Sequence, residues 1–207
     1  MNKKVLIGIC LVILVVVIAI IGVFILLSEG ENKNIVDDNS KAQTIINSED
    51  KALIAYFSET GNTEKLANLI HEQVGADMFK IEPVTPYPNG EELFDYTKEE
   101  QDKDERPEIK GTVNIDDYDI IFIGYPIWWS DLPQILYTFL ESYDFSGKNV
   151  YLFSTNGGSG LSGTVSTITD KLSSANVNSN AFKLYRENMG EAPGEVETWL
   201  KEIGVIK

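Results

Sequence analysis

The chain of 207 residues carries 32 acidic and 17 basic residues, which give it a formal net charge of −15 at pH 7. A surface this acidic repels nucleic acid, so we expect no nucleic-acid partner. The single cysteine, Cys10, lies in an apolar run, which leaves the rest of the chain without a thiol for a disulfide or for nucleophilic catalysis.

An apolar run dominates the N-terminus. Asn2, Lys3 and Lys4 precede Val5–Leu27, a stretch of 23 residues without a charged side chain. As a helix the stretch would be about 34 Å long, which is enough to cross a bilayer. It is longer than the apolar core of a cleavable signal peptide, and no convincing small-x-small cleavage site follows it. We therefore predict an uncleaved transmembrane anchor over residues 1–27, with cleavage as the alternative.

The charges that flank this anchor predict its orientation. Two lysines precede it, and the residues just after it, Ser28–Lys33, are net acidic. The positive-inside rule then leaves the N-terminus in the cytoplasm and exports the rest of the chain. The predicted location is the cell membrane, crossed once, with the soluble part on the extracytoplasmic side. That part holds all 32 acidic residues and 15 of the 17 basic ones, a formal charge of −17 that favours solubility or a basic partner.

A polar segment separates the anchor from the remainder of the chain. Residues 28–50 are rich in Asn, Asp, Glu and Ser, with scattered Ile and Val. This composition predicts a flexible linker with a root-mean-square span on the order of 25 Å. Residues 51–207 are then long enough for one domain with a single core.

Short apolar runs alternate with helical patterns along this domain. The predicted strands are Ala52–Phe57, Met78–Ile81, Ile120–Gly124, Val150–Ser154 and Ala181–Leu184. The predicted helices are Thr63–Val74, Gly90–Lys103, Leu132–Tyr143, Thr164–Leu172 and Glu195–Ile203. This alternation predicts an α/β fold with parallel strands, right-handed crossovers and helices on both faces of the sheet. In such folds ligands bind beyond the carboxyl ends of the strands.

The first predicted strand runs into a loop that suits a phosphate. Ser58, Thr60, Gly61, Asn62 and Thr63 supply hydroxyl, amide and backbone N–H groups at the start of a helix. Helix N-termini leave N–H groups unpaired and carry partial positive charge, so they favour anions. The loop lacks the lysine that neutralises a polyphosphate in nucleoside-triphosphate loops. A mononucleotide is therefore expected, with flavin mononucleotide (FMN) as the leading candidate.

Two further loops leave the same predicted edge of the sheet. One contains a tryptophan pair, and we expect at least one of the two rings to offer an exposed stacking face. The other is rich in glycine, which lets a planar ligand approach the backbone closely. The candidate residues in these loops are Pro126, Ile127, Trp128, Trp129, Thr155, Asn156, Gly157, Gly158 and Gly160. Each loop alone is a weak signal, but three loops at successive strand ends together favour a flavin site.

Residues 51–207 resemble the flavodoxin family. Ser58–Thr63 matches the family's (S/T)-x-T-G-N-T phosphate loop, while Gly124–Trp129 and Thr155–Gly160 match its two flavin loops. The resemblance implies a doubly wound, five-stranded parallel sheet of order 2-1-3-4-5 in three layers, and one noncovalently bound FMN. Family members include electron carriers and reductases of quinones or other acceptors. The chain looks most like the bacterial subgroup with a Pro-Ile-Trp-Trp loop.

Two departures from the family pattern bear on function. Thr155–Gly163 contains no aromatic residue, although many carriers stack a tyrosine of this loop on the flavin. Many carriers also have glycine after the stacking tryptophan, whereas Trp129 follows Trp128 and Ser130 follows Trp129 here. We favour Trp128 as the stacking residue because of its distance from Gly124.

These observations lead to three hypotheses of different classes. The main one is a membrane-tethered FMN protein that transfers electrons between redox protein partners. The second is an FMN-dependent reductase that acts on a nicotinamide or on a small redox substrate such as a quinone, which the missing second-loop aromatic favours. The third is a binding module that kept the fold without the cofactor.

Overall fold

A computed structural model describes residues 50–207, which include the whole predicted domain. The predicted anchor at residues 1–27 lies outside the described residues, as does the predicted linker at 28–50 apart from Asp50. Within residues 50–207, no helix has the length and apolar character needed to cross a membrane.

Residues 50–207 form a mixed set of strands and helices that follows the predicted alternation. The strands are β1 (Ala52–Tyr56), β2 (Asp77–Lys80), β3 (Ile120–Pro126), β4 (Asn149–Asn156), β5 (Asn176–Val177) and β6 (Phe182–Tyr185). The helices are α1 (Asn62–Val74), α2 (Glu92–Asp102), α3 (Gln134–Ser142), α4 (Thr164–Lys171) and α5 (Ala192–Glu202). Every predicted element is present, with ends that coincide or differ by at most three residues.

The sheet is parallel throughout and has the predicted strand order, β2-β1-β3-β4-β5. The predicted fifth strand is β6, and it shares its place in the sheet with the unpredicted β5. β5 pairs with the start of β4, and β6 pairs with its end. Between them the chain turns, because Asn178 Oδ1 accepts a hydrogen bond from the Asn180 amide at 2.8 Å. Asn side chains commonly stabilise such turns, so the strand is divided in two.

Helices cover both faces of the sheet, which confirms the three-layer architecture. Alternate residues of β1 point to opposite faces: Leu53 and Ala55 pack in one buried cluster, and Ile54 in the other. The first cluster includes residues of α3 and α4, and the second includes residues of α1 and α5. Burial on both faces explains why the central strands are apolar at consecutive positions.

A glycine near the end of β3 permits close packing below the loops that follow. A Cβ atom added at Gly124 would lie 2.1 Å from Cζ of Phe153, whose ring is fully buried on β4. The Gly124 carbonyl also accepts a hydrogen bond from the Phe57 amide at 2.9 Å. β1, β3 and β4 are therefore packed tightly where their carboxyl ends meet.

Candidate functional site

A cavity of about 370 Å³ opens at the carboxyl ends of β1, β3 and β4. The residues that line it come from the three predicted loops, from α2 and from the segment after β6. They are Thr60, Asn62, Leu93, Phe94, Thr97, Pro126, Ile127, Trp128, Trp129, Ser130, Thr155, Asn156, Gly157, Ser159 and Arg186. The topology therefore brings together the three loops that the sequence singled out.

The candidate residues divide into those that line the cavity and those that do not. The lining set is Thr60, Asn62, Pro126, Ile127, Trp128, Trp129, Thr155, Asn156 and Gly157. Outside the lining are Ser58, Gly61, Thr63, Gly158 and Gly160. The cofactor contacts assigned to all of these residues stay predictions.

Sequence reasoning missed the contribution of α2. Leu93, Phe94 and Thr97 line the cavity, although they belong to the long connection between β2 and β3. Ser130, Ser159 and Arg186 were also missed. Ser130 directly follows the first flavin loop, Gly124–Trp129, and Ser159 lies within the second, Thr155–Gly160, between two assigned glycines.

The loop Ser58–Thr63, here called the phosphate loop, turns sharply before α1. Gly61 has a φ of +81°, a left-handed conformation that glycine adopts without a steric penalty. The Lys65 amide donates a hydrogen bond to the Gly61 carbonyl at 3.1 Å, and this is the first backbone hydrogen bond of α1. The Asn62 and Thr63 amides precede it and have no hydrogen-bond acceptor among the described residues. Free amides beside the Thr60 hydroxyl are the donor set that a terminal phosphate requires.

Thr155 at the end of β4 ties the loops together. Its hydroxyl is hydrogen-bonded to the Thr63 hydroxyl at 2.8 Å, and both side chains are buried. Its carbonyl accepts a hydrogen bond from the Ile127 amide at 2.9 Å. The Thr63 hydroxyl thus joins α1 to β4 within the protein. Thr60 instead lines the cavity, and its hydroxyl accepts a hydrogen bond of 3.3 Å from the Asn62 side-chain amide.

The loop Pro126–Asp131, here called the ring loop, contains a tight turn of unusual composition. Trp128 and Asp131 exchange two backbone hydrogen bonds of 3.0 and 2.8 Å. The residues between them, Trp129 and Ser130, have φ values of +49° and +60°. Two central residues with positive φ define a type I′ turn, which normally takes Asn or Gly because other side chains are strained there. The strained turn lies on the wall of the cavity.

Contacts from other segments hold this turn in place. Trp129 Nε1 donates a hydrogen bond to Thr97 Oγ1 on α2 at 3.0 Å. Asp131 Oδ1 accepts hydrogen bonds from the Leu132 amide at 2.8 Å and from the Tyr137 hydroxyl at 3.0 Å. Trp129 is 43% exposed, so one residue of the tryptophan pair is exposed as expected, and stacking of its ring on a ligand stays a prediction. The Trp128 ring packs edge-on against Phe57, and its role as the stacking residue stays a prediction.

A buried carboxyl group lies behind Trp128. Trp128 also packs edge-on against Tyr87, with ring centroids 5.4 Å apart. The Tyr87 hydroxyl donates a hydrogen bond of 3.1 Å to Glu100 on α2, which is only 3% exposed. Burial raises the pKa of Glu100 to about 7, although the hydrogen bond from Tyr87 opposes the shift. Burial and the Glu100 carboxylate raise the pKa of Tyr87.

The glycine-rich loop takes its shape from Asn156. The Asn156 Oδ1 atom accepts hydrogen bonds from the Gly158 amide at 2.8 Å and the Gly160 amide at 3.3 Å. The Asn156 side-chain amide donates to the Leu184 carbonyl at 3.2 Å. Those two glycine amides are therefore engaged within the protein, and Asn156 is a loop-shaping residue that also lines the cavity.

Comparison with known proteins agrees with this fold. The model of the flavodoxin family matches residues 51–203. Flavodoxin 1 of Salmonella typhimurium is 29% identical over 104 residues, which are 48% of this chain and 46% of that protein. An uncharacterised protein of Methanocaldococcus jannaschii, MJ0298, is 29% identical over 108 residues, 52% of this chain and 55% of that protein. The chain therefore spans about half the length of the curated relatives it matches.

Solved structures cover the domain more completely. A Bacteroides uniformis protein, provisionally assigned as a flavoprotein, has 32% sequence identity and a TM-score of 0.66, over 73% of this chain and 98% of its own. A similarly assigned Bacteroides eggerthii protein has 30% identity and a TM-score of 0.63, over 76% and 99%. A Lactobacillus acidophilus flavoprotein in complex with FMN shares the fold at 22% identity and a TM-score of 0.58, over 72% and 98%.

Proposed function

The chain belongs to the flavodoxin family, and from this premise we propose that it binds FMN in the cavity and exchanges electrons with redox partners. Bound FMN supplies the redox chemistry, since it accepts one or two electrons, while the protein binds, orients and tunes it. The observation that carries the proposal is the donor set of the phosphate loop beside a cavity walled by tryptophan.

The cavity has a polar end and an apolar side, which is the division that FMN requires. At the polar end, the Thr60 hydroxyl and the amides at the start of α1 would hold the phosphate. On the apolar side, Ile127 and the two tryptophans would hold the flavin ring and exclude water from it. Pockets of this kind bind planar ligands through apolar contacts and orient them with a few polar groups.

Tethering to the cell membrane is part of the proposal. Residues 1–27 would anchor the chain, and residues 28–50 would let the domain move over the extracytoplasmic surface to meet membrane or surface redox proteins. Protease treatment of intact cells tests this arrangement, because an exported domain is digested. Full protection of the domain, with digestion restored after lysis, would contradict the export.

A reductase acting on a small substrate is the second candidate. Phe94 is 61% exposed and Trp129 is 43% exposed, and their rings meet edge to face at 6.3 Å beside the cavity. An open apolar mouth of this kind gives a small planar acceptor such as a quinone access to the flavin edge. Rapid bleaching of the bound flavin by NADH or NADPH under anaerobic conditions would favour this candidate over a carrier.

A stepwise anaerobic reductive titration of the full-length chain in detergent, loaded with FMN, tests the proposal. We expect the protein to retain FMN and a one-electron stage to accumulate in the visible spectrum, as a carrier requires. Direct conversion from oxidised to fully reduced flavin would favour the two-electron reductase. Failure to retain FMN, or to quench its fluorescence at micromolar concentration, would favour the cofactor-free binding module.

A further inference from the structure

The charges that line the cavity differ in sign from those of the chain as a whole. The chain has 32 acidic residues, yet none of the 15 described residues that line the cavity is Asp or Glu. The lining contains one ionisable residue, Arg186. Within an acidic domain, the cavity therefore presents a positive charge.

Arg186 is located at the mouth of the cavity. It opens the short 3-10 helix Arg186–Asn188, which directly follows β6. Its guanidinium lies over Gly157 of the glycine-rich loop, so that a Cβ atom added there would be 3.7 Å from Arg186 Cζ. The Arg186 side chain is exposed, and Gly157, which it approaches, directly follows the last residue of β4.

The chain's two arginines make very different contacts. Arg106 donates hydrogen bonds to Glu141, Asp104 and Gln134, and it forms ion pairs with the two carboxylates. Arg186 forms no ion pair and donates no hydrogen bond to a residue within the range 50–207. Its charge is free to meet a group that enters the cavity.

We propose that Arg186 is the anion-binding residue of the cavity mouth, an inference that rests on the proposed function. A guanidinium keeps its charge at any physiological pH, binds carboxylate or phosphate oxygens through two parallel N–H groups and stacks on planar groups. The anion belongs either to the cofactor or to a separate acidic substrate that exchanges electrons with it. A local positive charge offsets the repulsion that an acidic surface exerts on such a substrate.

The test compares Arg186→Gln with Arg186→Lys and with a matched control, Lys183→Gln, in the full-length chain in detergent. Lys183 is exposed on β6 and does not line the cavity, so its replacement removes the same net charge away from the site. FMN affinity is measured first by fluorescence quenching, and the midpoint potential of bound FMN is then measured by anaerobic titration. Loss of FMN binding by the wild type overturns the proposed function itself and is thereby distinguished from failure of this inference.

If the anion belongs to the cofactor, Arg186→Gln weakens FMN binding or lowers its midpoint potential. Roughly tenfold weaker binding of reduced relative to oxidised FMN corresponds to about 30 mV for a two-electron couple. Arg186→Lys retains most of the effect of the wild-type residue, because it keeps the charge, and Lys183→Gln leaves both quantities near the wild-type values.

If the anion belongs to a substrate, the midpoint potential is unchanged and the reoxidation rate changes. Flavin reduced with dithionite is mixed with naphthoquinone sulfonate or with neutral naphthoquinone, each of which takes two electrons and two protons to become the hydroquinone. Arg186→Gln slows the reaction with the sulfonate by about tenfold and leaves that with the neutral quinone unchanged. The inference is overturned if Arg186→Gln leaves affinity, potential and both rates at wild-type values, or changes them no more than Lys183→Gln does.

Discussion

The phosphate loop takes its turn from one of its own residues and is tied to a distant strand through the Thr63 hydroxyl, whereas the ring loop is held by residues from two distant helices. Gly61 sets the turn into α1 through its own backbone conformation, and the amides that follow belong to that helix. The ring loop depends on Thr97 from α2 and on Tyr137 from α3. Its central residues are strained, while the phosphate loop places glycine where the positive φ occurs.

This difference suggests separate roles for the two ends of the site. A terminal phosphate keeps the same charge during electron transfer, so a rigid local donor set suffices to bind it. A flavin ring changes charge and hydrogen bonding when it is reduced, and its neighbours determine how easily that happens. Because the ring loop is held by tertiary contacts, other parts of the domain can influence the environment of the flavin ring.

The largest expected effect is a loss of FMN affinity caused by a substitution in the phosphate loop. Thr60→Ala should weaken FMN binding by roughly 1.5–3 kcal/mol, because it removes a hydrogen bond to a charged group. The free energy of unfolding of the apo chain should change little, since the hydrogen bond from the Asn62 side chain to the Thr60 hydroxyl is exposed and long, at 3.3 Å. Fluorescence quenching and urea unfolding measure the two quantities. Thr198→Ala, on the outer face of α5, is the control, and equal FMN affinity in both variants would refute the loop assignment.

The next largest effect is on the pH dependence of stability and comes from the buried carboxyl group of Glu100. Because the pKa of Glu100 is raised from 4.5 to about 7, the folded chain holds a proton that the unfolded chain has lost. Stability should therefore fall as pH rises from about 4.5 to about 7, by on the order of 2 kcal/mol. Glu100→Gln should remove this loss, so that the variant matches the wild type near pH 5 and is more stable near pH 8.

Urea unfolding at the two pH values measures the effect of Glu100→Gln. Glu99→Gln is the matched control, since Glu99 is the preceding residue of α2 and forms a surface ion pair with Lys103. An identical pH dependence in wild type and Glu100→Gln would show that the buried carboxyl group does not control stability in this range.

A smaller effect is expected where α2 contacts the ring loop. Thr97→Val keeps the shape of the side chain but removes the acceptor for Trp129 Nε1, which should cost about 1 kcal/mol. FMN affinity should fall together with stability, because the turn in the ring loop loses its hydrogen bond to α2. Thr97 also donates its hydroxyl to the Leu93 carbonyl of α2 at 2.7 Å. Thr169→Val is the control, because it removes the corresponding bond to the Val165 carbonyl on α4 and Thr169 does not line the cavity. If both variants bind FMN equally well, the contact from α2 does not shape the site.

The smallest effect concerns strain in the ring loop. Ser130→Gly should raise the free energy of unfolding by about 0.5 kcal/mol, since relief of a left-handed conformation is partly offset by the greater freedom of glycine in the unfolded chain. Ser162→Gly is the comparison, because Ser162 has a φ of +49° outside the ring loop, but it also removes the hydrogen bond from the Ser162 hydroxyl to the Ser159 carbonyl. We therefore expect Ser162→Gly to gain less stability than Ser130→Gly, and we expect Ser130→Gly to alter FMN affinity. A loss of stability in Ser130→Gly would show that the turn is unstrained.

The same contrast explains what could be predicted from the sequence. The phosphate loop and the order of the main elements follow from local patterns, namely apolar runs, helix periodicity and glycine at a turn. Phe94 and Thr97 belong to a long connection whose place over the cavity is decided by tertiary packing. Arg186 belongs to no motif, and only the parallel pairing of β6 with β4 brings it to Gly157. The two-residue strand β5 is too short to leave a periodic pattern.

The division of the predicted fifth strand into β5 and β6 has a consequence for self-association. Exposed strand edges carry unpaired N–H and C=O groups and can pair with another copy of a chain, which leads to aggregation. One edge of this sheet is β2, four residues with Asp77 and Lys80 at its ends. The other edge is interrupted between β5 and β6, which have two and four residues. Neither edge offers a long, flat template, so copies of the domain crowded together can remain separate molecules.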